Sequence, residues 1–296
     1  MENTLFFTLN NGVKIPALGF GTWQIPDGKI TFDAVSFALK NGYRHIDTAH
    51  SYGNEKSVGQ AVRSSGISRS ELFITSKLPA YIKTYKETLE SFDKTIKNLE
   101  LDYLDLYLIH SPHPWDRRWE DFTKQNIEVW KAMEEIYKSG QCRAIGVSNF
   151  KVSDLTAILN NCEIIPMVNQ IKYFIGNTQK EISQFCNKNN ILIEGYSPLA
   201  TGAILNNKKI ATIAEKYQVS IAKICIRYVL QRAVIPISKS THPERIKQNI
   251  ELNFEITDTD MNYLDKLKNT VKTMVGLNTL KKVYHLLRSI IKKLSR

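Results

Sequence analysis

Short apolar runs alternate with longer stretches of helical spacing from Ala17 to Asn269, with no break in composition between them. A hairpin comes first, over Thr8–Ile15, because Asn11-Gly12 supplies the positive φ of a tight turn. The first strand is Ala17–Phe20. Val35, Ala38 and Leu39 then mark a helix from Thr31 to Asn41, stopped by Gly42. Strand Arg44–Asp47 follows, then a helix over 55–64 and strand Leu72–Lys77. Thr84-Tyr85-Lys86-Glu87 is a capping box opening a helix that runs to Leu99. The pattern continues through strand Leu104–His110, helix Glu120–Lys138, strand Arg143–Val147 and helix Ser153–Asn160. Strand Met167–Gln170 leads to a helix capped at Thr178 with Glu181, then to strand Ile191–Gly195. Helices Lys208–Tyr217 and Ile221–Gln231, strand Ala233–Ile237, a helix opened by Thr241-x-x-Glu244 and helix Thr257–Asn269 complete the series.

Strands alternating with helices build a parallel sheet, and eight repeats close it into a (β/α)8 TIM barrel. The competing open, doubly wound sheet would carry Gly-x-Gly-x-x-Gly after its first strand, and the chain has none there. The expected organisation is an α/β barrel over residues 1–270, with the N-terminal hairpin, and an amphipathic tail over 271–296. In that tail Leu277, Leu280, Tyr284, Leu287, Ile291 and Leu294 recur at spacings of three and four.

Composition adds limits. The chain has 296 residues, 43% of them hydrophobic, enough for one large barrel. No apolar stretch is long enough to span a bilayer, and Met1-Glu2-Asn3-Thr4 is not followed by a signal-type segment, so the expected location is cytoplasmic. Cys142, Cys162, Cys186 and Cys225 are scattered without a Cys-x-x-Cys pair and read as reduced thiols; no metal site is expected. Residues 271–296 hold seven Lys and Arg and no acid, so +7 of the net +11 belongs to the tail and +4 to the body. Aromatic residues are not interleaved with that charge, so nucleic acid is not an expected partner. The tail has three readings: a helix docked on the barrel, a basic helix on an anionic membrane surface through residues 277–296, and an oligomerisation or partner helix. The barrel itself is expected to be a monomer.

In a parallel barrel the strand C-termini face one rim, which gathers Trp23, Asp47, Lys77, His110, Ser148-Asn149, Gln170, Tyr196-Ser197 and Lys239-Ser240. Tyr52 follows Asp47 closely. A phenol is a weak acid, with a pKa of about 10; an ammonium at Lys77, held by Asp47, would pull it toward working range. His110 can orient a substrate oxygen. Such a site protonates a developing alkoxide, so a reduced nicotinamide must deliver the hydride. Ser148, Asn149 and Gln170 suit a carboxamide, and Tyr196 offers a flat face to the ring. Lys239, Ser240, a helix N-terminus and Arg245 form an anion site, and several cations favour NADPH over NADH.

Gly42-Tyr43-Arg44-His45-Ile46-Asp47-Thr48-Ala49, Tyr52-Gly53-Asn54-Glu55, Thr75-Ser76-Lys77, Leu108-Ile109-His110, Gly146-Val147-Ser148-Asn149-Phe150, Asn169-Gln170, Tyr196-Ser197-Pro198-Leu199 and Lys239-Ser240 with Arg245-Ile246 and Asn249 occur in order. Over about residues 5–270 the chain resembles the aldo-keto reductases, in particular their short bacterial branch of aldehyde and diketone reductases (the diketogluconate and glyoxal reductase type). The resemblance implies Tyr52 as proton donor, Asp47 and Lys77 tuning it, and His110 polarising the carbonyl. It implies Ser148, Asn149, Gln170 and Tyr196 around the nicotinamide and Ser197 and Leu199 near the pyrophosphate. It further implies Lys239, Ser240, Arg245 and Asn249 at the adenosine 2′-phosphate, with Trp23 and Trp115 lining the substrate pocket. Gln248 stands where the family commonly has glutamate. Ser111–Trp119 is its variable loop, in which Asp116 and Arg117-Arg118 hint at charged substrates, and its C-terminal segment commonly folds over the pocket. The expected activity is NADPH-dependent reduction of a small carbonyl compound. The alternative is an NADPH-binding regulatory or redox-sensing barrel, as in the potassium-channel β-subunits of the superfamily, with little turnover.

Overall fold

A computed structural model describes residues 5–268 and 270–271. The amphipathic stripe, and with it the expected membrane or partner contact through 277–296, lies outside the described residues. The hairpin pairs β1 (Phe6–Thr8) antiparallel with β2 (Lys14–Pro16). Eight parallel strands then close the barrel: β3 (Gly19–Gly21), β4 (His45–Asp47), β5 (Phe73–Leu78), β6 (Leu106–Ile109), β7 (Ile145–Ser148), β8 (Val168–Lys172), β9 (Leu192–Tyr196) and β10 (Ile235–Ser238), with β10 returning to β3. Around them run α1 (Lys29–Lys40), α2 (Glu55–Arg63), α3 (Tyr85–Leu99), α4 (Thr123–Lys138), α5 (Val152–Leu159), α6 (Lys180–Lys188), α7 (Lys208–Lys216), α8 (Ile221–Gln231), α9 (Pro243–Ile250) and α10 (Asp258–Lys266). No helix among the described residues is long and apolar enough to cross a membrane.

The apolar core lies between strands and helices, where Ile46, Ile74, Leu106, Val147 and Ile235 meet residues such as Val35, Phe92, Trp130 and Val229. Gly146 lets β7 and β8 close up, because a Cβ there would stand 2.5 Å from the Val168 carbonyl oxygen. That approach sets the spacing of the two strands just below Ser148 and Asn149.

Several expected boundaries shift, among them the start of α4 (Thr123, not Glu120) and the end of α10 (Lys266, not Asn269), and three have a visible cause. α6 is entered through Gln179 at φ 45° with no side-chain cap, so Thr178 does not cap it; its carbonyl instead accepts from Ser183 Oγ at 2.8 Å. α9 starts at Pro243, whose fixed φ and missing N–H suit the first helical position. His242 becomes the cap residue, and Ser240 Oγ, not Thr241, accepts the His242 N–H at 3.0 Å. β8 continues past Gln170 to Lys172, because Lys172 pairs with Tyr196 of β9. Gln170 therefore sits deeper in the barrel than a strand end.

Candidate active site

β4 and β5 send alternate residues inward, which puts His45 and Asp47 beside Thr75 and Lys77. Lys77 is fully buried, and its Nζ donates to both Asp47 carboxylate oxygens and to the Thr48 carbonyl, all at 2.7 Å. Burial works against the ammonium, yet the Asp47 charge and hydrogen bonds, with Tyr52 and Glu194, together offset it, and the Lys77 pKa is raised above its ordinary value. The cation is permanent at neutral pH.

Tyr52 sits on a single helical turn, His50–Tyr52, that follows β4 and ends at Gly53 in left-handed conformation (φ 71°). Asn54 behind it is fully buried: Nδ2 donates to the Thr22 and Ile25 carbonyls at 3.0 Å, and Oδ1 accepts from Thr48 Oγ1 at 2.8 Å. That clasp ties the turn to the loop after β3. The Tyr52 ring faces the Lys77 ammonium at 5.0 Å from its centroid and meets the His110 ring edge-on at 5.6 Å. Desolvation pushes the Tyr52 phenol up to about 12, and the pull of Lys77 does not overcome it. Lys77 thus acts on the phenol in the direction expected from sequence, while burial keeps it protonated. His110, just past β6, is lowered to about 3, by burial first and the Lys77 charge second, so its imidazole is neutral.

The amide cluster lies across the barrel. Ser148 Oγ donates to the Gln170 carbonyl at 2.9 Å, and Asn149 Nδ2 donates to the His110 carbonyl and Ser148 Oγ at 3.0 Å. Tyr196 OH donates to Asn149 Oδ1 at 2.8 Å. Asn149 and Ser197 both hold left-handed backbone (φ 65° and 53°), sparsely populated conformations of the kind that cluster at functional sites. Gln170 Nε2 donates to Asp47 Oδ2 and to Glu194 Oε2, both at 2.8 Å. Its amide nitrogen is therefore committed inward, and Oε1 is the atom left to accept from a ligand.

Glu194 and His45 were not among the expected site residues. Both are fully buried in the barrel interior, with Glu194 Oε1 3.6 Å from His45 Nε2. Burial, reinforced by the Asp47 charge, raises Glu194 to about 8; burial, reinforced by Lys77, lowers His45 to about 3. Both are neutral at pH 7, leaving Lys77 and Asp47 as the charged pair among these four groups. An acid inside the apolar run Ile191-Leu192-Ile193-Glu194 is the signal that could have found it.

On the other side of the mouth, Ser197 and Leu199 are half-buried beyond β9, Lys239 is exposed after β10, Ser240 and Asn249 are buried, and Arg245 is exposed on α9. Among the described residues no carboxylate pairs with Lys239 or Arg245. Two uncompensated cations with the Ser240 hydroxyl at a helix N-terminus fit a phosphate, and the Asn149, Gln170 and Tyr196 groups fit a nicotinamide carboxamide and ring. Trp115 meets His110 edge-on at 5.7 Å, which brings it to the mouth, whereas Trp23 stands exposed beyond β3.

Relatives show the same architecture. Over 260 residues the chain is 43% identical to the glyoxal reductase of Bacillus subtilis, covering 88% of this chain and 91% of that one. It is 38% identical over 279 residues to the morphine 6-dehydrogenase of Pseudomonas putida, covering 89% and 91%. The crystal structure of an aldo/keto reductase from Brucella melitensis superposes with a TM-score of 0.84 at 40% identity, over 89% of this chain and 99% of that one. A Bombyx mori aldo-keto reductase in complex with NADP superposes at 0.83 and 32% identity, over 92% and 95%. The sequence profile of the aldo/keto reductase family matches residues 17–269. With the profile matched over most of the chain and the barrel shared with solved relatives at about 40% identity, the chain belongs to the aldo/keto reductase family.

Proposed function

We propose that the protein reduces small aldehydes and ketones to alcohols with NADPH, Tyr52 donating the proton. The observation that carries this is the convergence of Tyr52 on both His110 and the buried Lys77–Asp47 pair. NADPH, when bound, supplies the hydride to the carbonyl carbon. The carbonyl oxygen accepts hydrogen bonds from the Tyr52 hydroxyl and the neutral His110 imidazole, which polarise the bond and fix its orientation. As negative charge develops on that oxygen, the Tyr52 proton moves to it, because an alkoxide is a stronger base than a phenolate. Lys77 stabilises the phenolate left behind, and Asp47 with the Thr48 carbonyl keeps the ammonium in place. Ser148, Asn149, Gln170 and Tyr196 hold the nicotinamide end; Ser197 and Leu199 flank the pyrophosphate. Lys239, Ser240, Arg245 and Asn249 take the 2′-phosphate, and Trp23 and Trp115 wall the substrate. Three buried thiols and one half-buried, all free, suit a reducing compartment such as the cytoplasm.

Consumption of NADPH with methylglyoxal and 4-nitrobenzaldehyde tests the reading, on the native chain and on Tyr52→Phe. The variant is expected to lose about 10²–10⁴-fold in turnover while binding NADPH with unchanged affinity. Absence of turnover in the native chain despite tight NADPH binding would overturn it in favour of a sensing role.

A further inference from the structure

The loop after β6 is built as an arm that brings Trp115 to His110 at the mouth. Its root is pinned from below: buried Lys83 donates Nζ to the Ser111 carbonyl at 3.0 Å and to Asn126 Oδ1 at 2.9 Å, and Asn126 Nδ2 donates to the Pro112 carbonyl at 2.9 Å. A turn follows, closed by Arg117 N–H to the Pro114 carbonyl at 3.1 Å. Trp115, carried on this turn, stands perpendicular to His110.

The two arginines that come next are used differently. Arg117 pairs with Glu120 at 3.5 Å and lies over the Phe122 ring at 5.0 Å, so its charge is matched within the loop. Arg118 donates Nε to the Trp115 carbonyl at 3.1 Å, and its Cζ stacks 5.2 Å from the Trp115 ring centroid. That hydrogen bond and that stack fix the plane of the guanidinium and leave its two terminal nitrogens uncommitted. No carboxylate pairs with it among the described residues. Its charge is felt across the mouth: burial raises the Tyr196 phenol on β9, and Arg118 is the cation that works against that rise. Trp115 thus stands between Arg118 and His110, stacked on the Arg118 guanidinium and edge-on to the His110 ring at the mouth.

We propose that Arg118 is an anion-recognition residue of the substrate pocket, so that the preferred substrates are carbonyl compounds bearing a carboxylate. This rests on the reductase reading above. A planar guanidinium with two free terminal nitrogens matches a carboxylate bidentately, and stacking on Trp115 keeps it oriented before substrate arrives. The carbonyl end of such a substrate reaches Tyr52 and His110 while the carboxylate meets Arg118 at the rim.

The test compares 4-carboxybenzaldehyde with 4-nitrobenzaldehyde, two planar aldehydes of similar size that differ in charge; nitro is the more activating group, so the readout is the change in the ratio of their kcat/KM between the native chain and a variant. The carboxylate-to-nitro ratio of the native chain is the reference. In Arg118→Leu that ratio falls about five- to tenfold through KM, the scale of one partly exposed charge pair, and Arg118→Lys restores part of it. The native ratio shrinks as salt rises toward 0.5 M, because a rim charge is screened. An unchanged ratio in Arg118→Leu, with nitrobenzaldehyde still reduced, overturns the proposal and leaves the reductase standing. Weakened NADPH binding in Arg118→Leu with the ratio unchanged also overturns it, reassigning the guanidinium to the cofactor. If neither aldehyde turns over, the reductase reading is what has failed. Calorimetric binding of 4-carboxybenzaldehyde then decides Arg118, since heat lost in Arg118→Leu upholds the site and equal heat in both proteins overturns it.

Discussion

The barrel interior and the root of the β6 loop each hold a buried lysine, and they treat it in opposite ways. Lys77 faces a carboxylate bound through both oxygens, and its pKa is raised. Lys83, six residues on in the same chain segment, is held by a backbone carbonyl and an amide oxygen, with Asp154 acting on it only at long range. Burial dominates there, and its pKa falls to about 7. Depth is similar in the two places, so the partner decides the charge state. A permanent cation suits the interior, where the proton-donating tyrosine needs one. A neutralisable amine suits a loop root, where hydrogen bonding to carbonyls is the task.

The sharpest way to break this comparison is to remove each ammonium. Lys77→Met leaves the Asp47 carboxylate buried and unpaired, an expected loss of about 3–5 kcal/mol, seen as a lower denaturation midpoint, together with loss of turnover. Lys83→Met strands no charge, only two hydrogen-bond acceptors, so about 1 kcal/mol is expected. Its kinetic effect is a few-fold rise in aldehyde KM as the Trp115 loop loosens. Equal stability losses in the two variants would sink the argument that the partner, not burial, sets the difference.

Smaller effects sharpen it through pH. Glu194 is raised from 4.5 to about 8, so the folded state holds a proton that the unfolded chain releases. Its contribution is full below pH 4.5, declines as pH rises and is lost on passing about 8. The native chain should therefore lose stability between pH 5 and 7, and Glu194→Gln should flatten that slope in thermal melts while keeping the bond to Gln170. Lys83 has the opposite sign. Lowered from 10.5 to about 7, it favours the fold at high pH, and that contribution is lost as pH falls through about 7. Stability rising between pH 7.5 and 10, and not in Lys83→Met, is the expected trace.

Much of this molecule is legible in order along the chain. The hairpin at Asn11-Gly12, eight strands and their helices follow from local periodicity and stop signals, and Asp47, Tyr52, Lys77 and His110 stand where strands reach the rim. The helix caps at Thr178 and Thr241 misled because backbone geometry set both entrances: Pro243 moved one start, and a left-handed Gln179 replaced the cap at the other. Gln170 was placed at a strand end because Lys172 looks like a loop residue until β9 pairs with it.

What the sequence determines by itself is the order of elements, the count of eight strand–helix repeats and the residue types available at the strand ends, since these depend on neighbours within a few positions. What only the tertiary structure decides is charge. Lys77 stays protonated because Asp47 lies within 2.7 Å across a strand pair, and Glu194 is neutral because it is buried with the charge of that same Asp47 close by. The Tyr52 phenol stays near 12 because the site is dry enough to outweigh the ammonium beside it. Ionisation in a low-dielectric interior is set by distances between residues far apart in the chain, and those distances exist only once the barrel has closed.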